Sequence, residues 1–192
     1  MTKNEIKNIS LSLFTKYGYE GTALSEIAKR VGIQKPSIYN HFKNKDDLFL
    51  CLFEEILEEH IQQVEQFVEE INTLSSEEKL KHILLDTCNY YKNHEDKATF
   101  LKRAMIFPPE HLKHILNESF LRSEESFSAI LHAIFVEGID KKEIRQGKIE
   151  NLIMSYFCLI DGIFMEFSYY GKENMEPRIQ NIWENFWYGL SG

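Results

Sequence analysis

Apolar residues recur at intervals of three and four along almost the whole chain, and no stretch alternates apolar with polar residues long enough to make a strand. That periodicity restricts the fold to packed helices. Only four prolines and nine glycines interrupt the 192 residues, so those residues are expected to mark helix ends. The first helix is expected over residues 3–17, with Ile6, Ile9, Leu13, Phe14 and Tyr17 on one face and Gly18 as its stop. A second follows a Thr22 cap, carries Leu24, Ile27, Ala28 and Val31 inward, and ends in a tight turn at Gly32. A third, short helix is expected over residues 35–41, with Pro36 in the first turn, where its missing N–H has no intrahelical partner to lose. Longer helices are expected over residues 45–71, 77–93, 97–107, 109–137, 148–170 and 176–190. The expected fold class is all-α, with an N-terminal three-helix unit over residues 1–47 and a helical remainder over 48–192, joined by a continuous helix.

Charge separates the two parts. Residues 1–50 hold eight Lys or Arg and five Asp or Glu, a balance of +3, whereas the remainder holds fourteen and twenty-five, a balance of −11. A basic first quarter on an acidic protein is expected to be the part that faces a polyanion. The longest apolar run, residues 153–167, is interrupted by Asp161, Gly162 and Glu166, and no leader is visible. No membrane partner is therefore expected, and the location expected is the cytoplasm. Cys51, Cys88 and Cys158 form no Cys-x-x-Cys pair and read as reduced thiols. His82, His94, His111, His114 and His132 are scattered, and no nucleophile triad, phosphate loop or zinc-protease pattern is present. No enzyme activity, no cofactor and no metal are expected. A metal-sensing alternative would use His111 and His114 at i, i+3, and a redox alternative Cys88 or Cys158.

The second and third helices have the makings of a helix-turn-helix. Ile27, Ala28, Val31, Ile33, Ile38 and Phe42 supply inward contacts, and small Ala28 lets the helices cross closely. Lys35, Ser37, Tyr39, Asn40 and His41 are left outward, as donors suited to a major groove.

The stretch from Phe14 to Thr22 (Phe-Thr-Lys-Tyr-Gly-Tyr-Glu-Gly-Thr), then Ile27-Ala28-Lys29-Arg30-Val31-Gly32-Ile33, then Ser37 to Leu48 with its Tyr39-Asn40-His41-Phe42 core, resembles the signature of the TetR family of transcriptional regulators. The resemblance covers about the first quarter of the chain. Gln34 stands where many members have a capping Ser, and Lys35-Pro36 replaces the more usual Lys-Gly, which implies a different base preference. The resemblance implies an N-terminal DNA-binding domain followed by a helical ligand-binding and dimerisation domain. Lys35, Pro36, Ser37, Tyr39 and Asn40 take the groove-facing positions, and Thr22, Ser25, His41 and Lys45 the phosphate contacts. Tyr39 could instead belong partly to the core, His41 could merely end its helix, and Thr22 could be only a cap.

The resemblance further implies that the last two long helices pack against their copies in a homodimer. Ile153, Tyr156, Ile160 and Phe164 follow one apolar stripe, and Ile179, Trp183 and Trp187 follow another, so these residues are the expected dimer interface. Gly162 would let the helices approach closely. Aromatics crowd the helices between, and they fit either a closed core or a cavity for an apolar or aromatic compound. Tyr90, Phe100, Phe107, Phe127, Phe157 and Asp161 are the candidate ligand contacts. The function expected is a repressor that binds a palindromic operator in double-stranded DNA and is released by a small-molecule effector. A helical small-molecule-binding protein without a DNA role is the alternative from another class.

Overall fold

The computed structural model describes residues 3–171, 173 and 175–191. Among these the regular structure is helical throughout: α1 (Lys3–Tyr17), α2 (Leu24–Val31), α3 (Lys35–Ile38), α4 (Lys45–Glu70), α5 (Ser76–Asn93), α6 (Glu95–Ile106), α7 (Lys113–Asp140), α8 (Ile149–Tyr170) and α9 (Met175–Ser191). The all-α expectation holds, with most boundaries within two residues. The helix expected from residue 109 begins only at Lys113, because Pro108 and Pro109 are followed by a single 3-10 turn over Glu110–Leu112.

Local chemistry explains the ends. Gly32 closes α2 at φ 82°, with its N–H directed at the carbonyls of Ala28 and Lys29; that left-handed conformation suits glycine because it has no Cβ. The start of α2 differs from expectation. Ala23 is the N-cap and makes no side-chain cap, while Thr22 is 2 % exposed and its hydroxyl donates to the carbonyls of Gly18 (2.8 Å) and Leu13 (3.2 Å). Thr22 thus ties the turn to the end of α1. Ahead of α4 a reciprocal pair satisfies two backbone donors: Asp47 N–H to Asn44 Oδ1 and Lys43 N–H to Asp47 Oδ2, both 2.8 Å.

Packing divides the chain into two units, one of residues up to Glu59 with His94–Ser123, the other of His60–Asn93 with the residues from Glu124 onward. The divisions fall inside α4 and α7, so both helices belong to both units. The core of the first unit gathers Leu13 and Phe14 of α1, Ile27 of α2, Ile38 of α3, Phe49 and Phe53 of α4 and Phe100 of α6. Phe49 packs edge-on to Phe14 at 5.0 Å and lies 4.9 Å from Phe100. Tyr17, expected on the inner face of α1, is 44 % exposed.

The core of the second unit gathers α5, α7, α8, α9 and the end of α4, with Leu80, Leu131, Phe135, Tyr156 and Trp183 almost fully enclosed. Buried Lys79 of α5 is neutralised by Glu137 of α7 at 2.7 Å. Helix α8 is long and apolar enough to cross a membrane by length and composition. Its apolar stripe, Leu152, Ile153, Tyr156, Ile160 and Ile163, is buried in this core instead.

Candidate nucleic-acid interface and effector chamber

In the first unit Ile27, Ala28, Ile38 and Phe42 form a buried floor, with Val31 and Ile33 half-buried at its edge. Because that floor consumes the apolar side of α2 and α3, the other side of the α3 segment is presented outward. Lys35, Pro36, Tyr39, Asn40 and His41 are exposed and Ser37 is half-buried. Regular α-helix stops at Ile38, but the N–H groups of Tyr39, Asn40 and His41 continue the winding by bonding to Pro36, Ser37 and Ile38 carbonyls. Ser25 of α2 is exposed as well. The surface so formed offers ammonium, hydroxyl, amide and imidazole groups, the donor set used on phosphates and base edges.

Two expected phosphate contacts are engaged within the chain, Thr22 fully and Lys45 in part. The Thr22 side chain is turned inward and cannot reach a phosphate. Lys45 Nζ donates to the carbonyls of Tyr19 (2.9 Å) and Thr22 (3.2 Å) and sits over the Tyr19 ring at 3.9 Å. Two of its three donors therefore hold α4 to the turn before α2. Beside it Tyr19 donates a hydrogen bond to Asp46, and His111 Nε2 lies 3.3 Å from the same carboxylate oxygen. The Tyr19 bond, followed by His111, holds the Asp46 carboxyl below its ordinary range.

The candidate ligand residues do not form one site. Phe100 and Phe107 belong to the first unit: Phe100 is buried, Phe107 is 79 % exposed, and both line a cleft of about 280 Å³ with Phe14, Tyr19 and Arg103. The Arg103 guanidinium donates to the carbonyls of Thr15 (3.2 Å) and Lys16 (3.4 Å), closing the end of α1. Tyr90, Phe127, Phe157 and Asp161 lie in the second unit. There Tyr90 and Phe127 flank the ring of His60, at 5.1 and 5.9 Å, and Tyr91 stands at 5.4 Å. Phe157 meets Phe127 edge-on at 5.6 Å, and Phe164 meets Tyr91 at 4.5 Å. Burial pushes the His60 imidazole down to about 4, so it is neutral. Asp161 lies on the outer side of α8, and partial desolvation raises its carboxyl above the usual range. Burial, then Asp161, raises the Tyr91 hydroxyl in turn.

Residues 10–52 match the family model described as bacterial regulatory proteins, tetR family. Over 141 residues the chain is 32 % identical to the HTH-type transcriptional regulator QacR of Staphylococcus aureus, covering 71 % of this chain and 70 % of that one. The chain belongs to the TetR family. It is accordingly a DNA-binding transcriptional regulator, from a family of regulators and not of enzymes. The probable HTH-type transcriptional regulator YttP of Bacillus subtilis is 25 % identical over 159 residues, 83 % of this chain and 75 % of that one. The crystal structure of FadR from Bacillus subtilis in complex with stearoyl-CoA superimposes with a TM-score of 0.82 at 23 % identity, covering 98 % of this chain and 99 % of that one. That last likeness concerns the fold.

In this TetR-family chain the residues expected at the dimer interface are spent internally. Ile153, Tyr156, Ile160, Ile179 and Trp183 are buried within the single chain, Trp187 is half-buried against the same core, and Phe164 is half-buried beside Tyr91. Tyr156 donates its hydroxyl to the Leu80 carbonyl at 2.6 Å. An apolar stripe shows that a helix face is covered but does not say by what. The outward faces carry Met154, Cys158, Asp161 and Gly162 on α8 and Gln180, Glu184 and Tyr188 on α9. The geometry lends no support to the metal alternative or to a redox role for Cys88. His111 is directed at Asp46, His114 at Glu118, and among the described residues no three His, Cys, Asp or Glu side chains are grouped to hold a metal. Burial pushes the Cys88 thiol up to about 12, which keeps it protonated and unreactive. Sequence reading does not single out the buried His60, although one imidazole within the apolar stripe of α4 is a visible signal.

Proposed function

We propose that the chain is a repressor which binds a palindromic operator in double-stranded DNA as a homodimer, acts in the cytoplasm, and is released by a small apolar or aromatic effector. Residues 1–47 are the reading head, and residues 48–192 bind the effector and the second copy. The observation that carries the reading is the outward row on and after α3, Lys35, Pro36, Ser37, Tyr39 and Asn40, set on a buried apolar floor. These residues read bases, with Lys35 and Asn40 suited to guanine and adenine. Ser25, His41 and the remaining donor of Lys45 hold phosphates.

Release is supported by continuity: α4 and α7 each run from one packing unit into the other. An effector shifts the equilibrium only by binding one state more tightly. The repressor sense is supported by a relative, the negative transcriptional regulator IcaR of Staphylococcus epidermidis, 40 % identical over 47 residues. The homodimer reading uses the outward faces of α8 and α9, where a Cβ on Gly162 or Gly189 would meet nothing within 4 Å.

The test is selection of bound fragments from random duplexes, with the selected sites retitrated at several salt concentrations. Enrichment of a palindrome whose affinity falls steeply with salt supports the reading. Failure to enrich any sequence at any salt overturns it.

A further inference from the structure

His60 is a physical anomaly in the second unit. It is 7 % exposed, it is enclosed by the rings of Tyr90, Tyr91 and Phe127, and its Nε2 has no hydrogen-bond partner. A buried polar atom left unpaired disfavours the folded state, so its position calls for a partner from outside the chain. A line of packed rings leads from that imidazole toward the surface. Phe127 separates His60 from Phe157, and half-buried Phe157 also lines a groove of about 430 Å³ between α7 and α8. The groove has an apolar floor of Ile153, Met154 and Phe157 and carries Glu124, Glu125 and Glu150, with no Lys or Arg.

We propose that His60 is the hydrogen-bonding anchor of the effector site, and that the effector is an uncharged apolar molecule bearing a hydroxyl, admitted from the α7–α8 groove past Phe157 and Phe127. The inference rests on the effector reading above and narrows it. A hydroxyl both donates and accepts, so it satisfies Nε2 in either tautomer of a neutral imidazole. Three carboxylates facing no Lys or Arg, with His132 the one other ionisable side chain lining the groove, disfavour a carboxylate or a phosphate-bearing ligand. The surroundings that keep His60 from holding a proton impose the same desolvation cost on a ligand ammonium. The class therefore excludes acyl-CoA, the ligand named for the FadR structure of the same fold.

Calorimetric titration of the full chain, without DNA, tests this with four probes of one shape: 4-hexylphenol, 4-hexylanisole, 4-hexylbenzoate and 4-hexylbenzylamine. The phenol is expected to bind about tenfold more tightly than the anisole, the difference of one hydrogen bond, and more tightly than either charged probe. His60→Phe is expected to abolish the preference of phenol over anisole while retaining the anisole affinity and the thermal midpoint at neutral pH. His60→Gln, which keeps a hydrogen-bonding group there, is expected to keep part of the preference. Equal phenol and anisole binding, a tighter charged probe, absence of phenol binding, or an unchanged preference in His60→Phe would each overturn the proposal. Because no DNA is present, the result stands apart from the operator selection: a failed anchor leaves an enriched palindrome intact, and a failed selection leaves the calorimetry intact.

Discussion

Replacing His60 by Phe exposes a pH dependence that the fold builds into this side chain. In the unfolded chain the imidazole takes its proton near pH 6.5, whereas in the folded chain burial delays protonation to about pH 4. Between those values the unfolded state binds more protons, so the contribution of neutral His60 to stability is complete above pH 6.5 and is lost as pH falls toward 4. At about 1.4 kcal/mol for each pH unit, the loss reaches roughly 3 kcal/mol, a large share of the roughly 5–15 kcal/mol that holds a typical domain folded. His60 is buried nearly to completion, so solvent screening does not reduce this figure much. Phe has no proton to take and fits an aromatic enclosure. Urea unfolding of the two proteins, in steps from neutral pH down to about pH 4, gives the difference directly, since the carboxylates that titrate in that range are common to both. The variant is expected to be at least as stable at neutral pH and to gain about 3 kcal/mol relative to the parent by pH 4. Parallel loss of stability in the two proteins would refute the reasoning.

Thr22→Val removes a buried hydroxyl from the end of α1, and urea unfolding is expected to show a loss of about 1–2 kcal/mol; unchanged stability with weakened DNA binding would restore the phosphate role. Tyr156→Phe removes the second donor to the Leu80 carbonyl, which keeps its helical partner, and is expected to lower stability by about 1 kcal/mol without altering self-association, as sedimentation at several concentrations would report. In Gly138→Ala the new Cβ would lie 2.6 Å from Ile144 Cδ1 and 3.0 Å from Ser76 Cβ; a thermal melt should show the overpacking as about 1–3 kcal/mol of destabilisation. Lys35→Ala is expected to weaken operator binding by about 1–3 kcal/mol and relax preference at one base pair, and competition with mutated operators would show whether that preference is unchanged.

The helices, the helix-turn-helix and the outward row of donors were legible because each is a local matter. Period 3.6, a glycine at the end of α2 and a proline in the first turn of α3 act over a few residues, and the chain states them in order. The burial partner of an apolar stripe is not local. Tyr156 and Trp183 sit on stripes that a partner subunit or the chain's own core could cover equally well, and only the packing of α5, α7, α8 and α9 gives them to the core. Phe100 was grouped with Phe127 by residue type alone, but α6 carries it into the first unit.

Polar side chains draw the same line. The chemistry of Thr22 and Lys45 suits a phosphate, and the sequence by itself determined which donors exist and at what spacing. Whether a donor faces solvent or a carbonyl depends on where the end of α1 and the start of α4 meet, which only the tertiary structure decided. His60 marks the limit most clearly: the sequence determined an imidazole within the apolar stripe of α4, and the closing of three aromatic rings around it made that imidazole neutral, buried and unpartnered. Dielectric surroundings are a property of everything nearby in space, and they are written nowhere along the chain.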